Sequence, residues 1–190
     1  TLWRELGGSY TGNVREGIVD PASARLLATA KSPALSEVVR DINKFSNNVM
    51  ARQLYLTLGG VSAGPPATLE KARTAVLDWL AQKQINAPEL VLENGSGLSR
   101  VERISARTMA RLLLDAYRSP VMPEFMASLP LVAVDGTMRK RLGNADVAGR
   151  AHIKTGSLAG VRAIAGYVLD ARNHRNIVVF MVNHANAAQA

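Results

Sequence analysis

Apolar residues recur at helical spacing through the first two-thirds of the chain, then give way to short continuous runs in the last third. Val38, Val39, Ile42 and Phe45 form one stripe and predict an amphipathic helix over Ser36–Lys44. Val49, Met50, Leu54 and Leu58 predict a second helix over Asn48–Leu58, with Gly59–Pro66 as a loop. Thr68 offers a cap to a third helix whose apolar face is Leu69, Ala72, Ala75, Val76, Trp79 and Leu80. Ser105 does the same for a fourth, with Met109, Leu112, Leu113 and Tyr117 inward and Pro120 and Pro123 ending it. Asn94–Ser99 reads as a tight, glycine-containing loop.

Val161–Leu169 and Ile177–Asn183 are rich in Val, Ile, Tyr and Phe, and Asp170–Asn176 joins them as a hairpin. Ala151–Ser157 supplies a third strand, turning through Leu158-Ala159-Gly160. Helices followed by an antiparallel meander predict an α+β fold with helices packed on a sheet. Thr1–Tyr10 lacks the basic and apolar regions of a signal peptide. It reads as the end of a helix, with Leu2, Trp3 and Leu6 on one face and Gly7-Gly8 as its stop. The expectation is therefore that the chain is the later part of something longer. Residues 1–33 would be the end of an upstream region with a linker, and 34–190 the domain proper.

Composition narrows the classes. The chain has 190 residues, no cysteine and a net charge of +8 from 17 arginines and 6 lysines against 15 acids. Mean hydropathy is +0.02, and the longest apolar run, Ile177–Val182, falls far short of the roughly 20 residues of a membrane-spanning helix. Without cysteine there is no disulfide framework, thiolate nucleophile or cysteine zinc site. The basic surplus favours polyanionic neighbours. Yet Arg100, Arg103, Arg107 and Arg111 are the only stripe at helical spacing, and no nucleic-acid motif accompanies them. His152, His174 and His184 match no zinc spacing, so no metal or other cofactor is expected.

Two short motifs carry chemistry. Ser46-Asn47-Asn48 lies between two predicted helices, where Ser and Asn also serve as ordinary caps. Lys154-Thr155-Gly156-Ser157 heads the first strand of the meander. There a cation and a hydroxyl suit an anionic group, and glycine leaves room for an extended peptide to approach the strand. Ser-x-Asn in a helical region with Lys-Thr-Gly far downstream is two of the three motifs of penicillin-recognising serine enzymes. Lys44-Phe45-Ser46-Asn47-Asn48, Gly95-Ser96-Gly97-Leu98-Ser99-Arg100, Val134-Asp135-Gly136-Thr137 and Lys154-Thr155-Gly156-Ser157-Leu158 narrow the match. From about Leu2 to its end the chain resembles the type-4, class C low-molecular-mass penicillin-binding proteins, D-alanyl-D-alanine carboxypeptidases and endopeptidases.

That resemblance implies a partial penicillin-binding, β-lactamase-like domain that acts on peptidoglycan stem peptides through an acyl-enzyme and reacts with β-lactams. It implies that Ser46 relays a proton between nucleophile and leaving amine. Asn48 would bind the substrate amide and help hold the active-site lysine, and Asn47, where aspartate is often found, would point away. Lys154 would bias the site towards anions and assist proton traffic. Thr155 would bind the terminal carboxylate with support from Ser157, whose N–H would be an oxyanion donor. Gly156 completes the triplet. An exported, periplasmic location is implied in the same way.

The family's first motif is Ser-x-x-Lys, and none of the twelve serines here has lysine three residues on. Thr68-Leu69-Glu70-Lys71 and Thr137-Met138-Arg139-Lys140 have the spacing, the wrong hydroxyl and the wrong order relative to Ser46. The nucleophile is therefore expected upstream, and these 190 residues alone are expected to be inactive. The alternatives are a non-catalytic peptidoglycan-binding module and, further off, a basic nucleic-acid binder whose affinity falls steeply with salt.

Overall fold

A computed structural model describes residues 2–13, 16–26 and 28–189. Thr1, where the expected N-terminal helix segment begins, and the side chain of Leu2, expected on its apolar face, lie outside the described residues. Residues 1–32 and 33–190 form two compact units. In the first, helix α1 (Leu2–Glu5) closes where the Gly7 and Gly8 N–H groups donate to the Arg4 and Trp3 carbonyls, a glycine stop of the expected kind.

The second unit is α+β. Helices α2 (Leu35–Phe45), α3 (Asn48–Ala63), α4 (Leu69–Gln82), α5 (Ala106–Arg118) and α6 (Met122–Ser128) precede strands β1 (Ala151–Leu158), β2 (Val161–Leu169) and β3 (Arg175–Asn183). The strands form one antiparallel sheet in the order β1-β2-β3. Thr68 and Ser105 act as the caps read from the sequence: each side-chain oxygen accepts from the backbone N–H three residues on.

Two readings are corrected. Helix α3 does not stop at Leu58 but runs through Gly59-Gly60 to Ala63. A Cβ on Gly59 would meet the backbone of Ala72 at 2.5 Å, so this glycine is where α4 crosses closely rather than where α3 breaks. Pro120 lies just past the end of α5, but Pro123 opens α6 instead of ending anything, because a first-turn proline sacrifices no helical hydrogen bond. The stripes of α2 and α3 are also only partly inward: Ile42 is buried, whereas Phe45, Val49 and Leu58 are exposed.

The core has two parts on opposite faces of the sheet. Leu113, Met126, Leu129 and Tyr167 lie between the sheet and α5 and α6. Tyr167 is fully buried and donates to the Leu113 carbonyl at 2.6 Å, and burial pushes its hydroxyl pKa up to about 12. On the other face Val132, Met138, Ala151 and Ile153 pack beneath the segment after α6.

That segment governs the outer edge of β1. The Ile153 N–H donates to the Pro130 carbonyl at 2.7 Å and the Val132 N–H to the Ala151 carbonyl at 2.9 Å, so the first half of the edge is sealed. Backbone groups of an antiparallel strand alternate between its two sides, which turns the Thr155 and Ser157 N–H groups to the same outer edge. Among the described residues no backbone partner meets them there.

Candidate active site

An open cleft of about 510 Å3 lies against the unsealed half of β1. Three pieces of chain build it: the α2–α3 junction, the 94–99 loop, and the strand with the turn beside it.

At the junction, Ser46 ends α2 in the left-handed conformation, with φ 52° and ψ 48°. The capping work falls to Asn47, whose Oδ1 accepts from the Met50 N–H at 3.0 Å. The flanking side chains, Ser46 and Asn48, take no part in that cap, and all three residues line the cleft. Asn48 Nδ2 donates to the Ser96 carbonyl at 2.6 Å, which leaves its Oδ1 for an outside N–H donor.

The loop holding Ser96 is shaped by Glu102, whose Oε1 accepts from the N–H groups of Glu93, Asn94 and Gly95 at 3.0–3.1 Å. Gly95 has φ +68° and sits on Tyr55, where a Cβ would approach within 2.6 Å, so no other residue fits this turn. Arg100 ties the loop's far end to the Ala159 carbonyl at 3.0 Å.

From the strand, Lys154 and Thr155 project from opposite faces of β1, and both reach the cleft because β1 is an edge. Lys154 Nζ donates to Ser46 Oγ and, at 2.9 Å, to the Thr155 carbonyl. No carboxylate pairs with it among the described residues, and burial lowers its pKa. Thr155 Oγ1 lies 3.0 Å from Thr137 Oγ1. Gly156 and Ser157 line the exposed end; a Cβ on Gly156 would meet only Ala163, at an ordinary 3.5 Å. Packing within the chain therefore does not demand that glycine, and the room it leaves opens on the cleft.

All six residues singled out in the sequence thus lie on one cleft, although Ser46 and Lys154 are 108 positions apart. The motif reading gave no role to four others: Thr137 and Arg141 on the cleft wall, and Lys44 and Asp135 behind it. Lys44 Nζ donates to both Asp135 oxygens at 2.8 and 2.6 Å and to the Leu129 carbonyl at 2.7 Å. Burial pushes the Asp135 pKa upward, but the Leu131 N–H and Lys44 outweigh it, so the carboxyl sits below its ordinary value. The family-like stretches Lys44-Phe45-Ser46 and Asp135-Gly136-Thr137 contain both partners, but their pairing is a contact across 91 positions.

The sequence pattern of the D-Ala-D-Ala carboxypeptidase 3 (S13) family matches residues 1–190. Among curated proteins, the chain is 35% identical over 169 residues to a D-alanyl-D-alanine carboxypeptidase of Actinomadura sp. (strain R39), covering 85% of this chain and 31% of that one. It is 29% identical over 182 residues to D-alanyl-D-alanine carboxypeptidase DacB of Haemophilus influenzae, covering 95% and 38%. The chain therefore spans about a third of the length of these relatives. Among solved structures, penicillin binding protein 4 (dacB) of Haemophilus influenzae complexed with a β-lactam superposes with a TM-score of 0.76 at 26% identity, over 96% of this chain and 42% of that one.

Proposed function

The chain belongs to the D-Ala-D-Ala carboxypeptidase 3 (S13) family, and on that footing we propose that its cleft is part of the active site of a penicillin-sensitive serine D-alanyl-D-alanine carboxypeptidase and endopeptidase acting on peptidoglycan stem peptides. The observation that carries the reading is the meeting of Ser46, Asn48, Lys154 and Thr155 around one cleft beside an open strand edge.

In this reading a serine hydroxyl attacks the carbonyl carbon of the penultimate D-alanine. The C–N bond breaks, D-alanine leaves with the proton taken from that hydroxyl, and water later hydrolyses the ester. Ser46 and Lys154 lie in hydrogen-bond contact and pass the proton. The lowered pKa of Lys154 brings its neutral form nearer to working pH, which suits it to accept as well as donate. Asn48 offers Oδ1 to the substrate amide N–H, because its Nδ2 is engaged by Ser96. The outward Ser157 N–H stabilises the oxyanion, and Thr155 receives the terminal carboxylate.

The Ser-x-x-Lys pair is absent from these 190 residues, and we assign nucleophile and base to residues outside them. Residues 34–190 are then the C-terminal part of the penicillin-binding domain. The site of action is the periplasm, where stem peptides are found.

Intact-mass measurement after incubation with benzylpenicillin tests this, on this chain and on a polypeptide that adds the Ser-x-x-Lys segment. A penicilloyl adduct on the longer polypeptide alone is the expected result. An adduct on the 190-residue chain would mean that its own residues supply a nucleophile. No adduct on either would favour the non-catalytic peptidoglycan-binding module.

A further inference from the structure

Resting on the carboxypeptidase reading, we propose that Thr137 and Arg141 form the second half of the carboxylate subsite, on the cleft wall beside Lys154 and Thr155. The two threonine hydroxyls lie 3.0 Å apart, a distance that holds one proton between them. Whichever hydroxyl accepts that bond keeps its own O–H to donate elsewhere, so the pair always presents a donor. Arg141 lines the same cleft with its side chain exposed, and its guanidinium has no hydrogen-bond or ion-pair partner among the described residues. Among the described residues the cleft wall carries two cations, Lys154 and Arg141, and no Asp or Glu. Such a wall is charge-complete only with an anion, and a planar carboxylate is the group a guanidinium fork fits best.

The segment is also held still, as a binding wall must be. Asp135 anchors its start to Lys44 and to the Leu131 N–H, and the buried Met138 fixes its middle in the core. The Arg141 N–H then donates to the Met138 carbonyl at 3.1 Å. Thr137, bonded only to Thr155, and Arg141 thus stand on a braced backbone, and among the described residues nothing neutralises the arginine.

The test compares an acetylated D-Ala-D-Ala peptide with its C-terminal carboxamide, which has the same shape without the charge. It uses the polypeptide that includes the Ser-x-x-Lys pair, in wild-type, Arg141→Gln, Arg141→Lys and Thr137→Val forms. Arg141→Gln is expected to lower kcat/KM on the acid about ten- to a hundredfold and to leave the amide within about twofold, as befits loss of one charge-assisted contact. Arg141→Lys recovers part of the loss, and Thr137→Val lowers the acid about three- to tenfold while sparing the amide. An equal effect on acid and amide, or no effect on either, overturns the inference. If wild-type protein turns over neither peptide and takes up no penicillin, the carboxypeptidase reading fails instead.

Discussion

Two lysines near the cleft are treated in opposite ways. Lys44 has a side chain only 12% exposed, and its charge is met by both oxygens of Asp135 and by a carbonyl. Lys154 is also held in place, but by a hydroxyl and a carbonyl alone, and burial pulls its pKa down. The first cation is neutralised and joins α2 to the segment that seals β1. The second is kept unneutralised at the open edge. A buried charge without its counter-ion costs stability, so a site that tolerates one is a candidate for chemistry rather than for holding the fold together.

The sharpest way to break this contrast is to remove each cation in turn. Lys154→Met is expected to slow acylation of the Ser-x-x-Lys-containing polypeptide by benzylpenicillin about a thousandfold. Its melting temperature should stay level or rise slightly, since a desolvated charge disappears. A fall of several degrees would place Lys154 with the structural group. Lys44→Met should do the reverse. It strips Asp135 of its partner and is expected to cost about 2 kcal/mol in urea unfolding, less than a fully buried pair because Asp135 is 41% exposed. Acylation would then change mainly through loosening of Thr137.

A smaller effect comes from His152, which lies on the same face of β1 as Lys154 and near Lys44. Burial first, then Lys44 and Arg175, lower its pKa from 6.5, and Asp135 and a backbone bond at Met126 oppose them only in part. Its buried Nδ1 has no hydrogen-bond partner among the described residues. The unfolded chain therefore binds this proton more readily than the folded one, so stability should decline as pH falls below about 6.5. His152→Gln should flatten that decline in thermal melts taken between pH 7.5 and 5. Asp135 has linkage of the same sign in a lower window: its lowered pKa contributes stability that is present above 3.8 and is lost as pH falls below that value.

The same contrast separates what the sequence disclosed from what it hid. Caps such as Thr68 and Ser105, the strand runs and the three-strand order are local, and they were legible from spacing alone. Ser46, Asn48, Lys154 and Thr155 were legible as motif members, because a resemblance carried them. Gly59 is ambiguous in sequence because a glycine that breaks a helix and one that admits a neighbouring helix look alike until the neighbour is known. Pro123 is ambiguous because a proline that opens a helix and one that ends it differ only in the backbone conformation of the residues after them. Thr137 and Arg141 went without a role for a different reason: they reach the cleft only through a turn anchored by a pairing 91 positions apart.

The half-sealed edge of β1 also works as a ruler. Only Thr155–Leu158 remains open, about 13 Å of strand at the usual rise per residue. An extended chain laid along it meets two outward N–H groups and then runs into the stretch closed by Pro130 and Val132. The strand therefore admits a peptide terminus of two or three residues but cannot pair lengthwise with another sheet. β1 thus leaves open a length of edge too short for edge-to-edge aggregation along that strand.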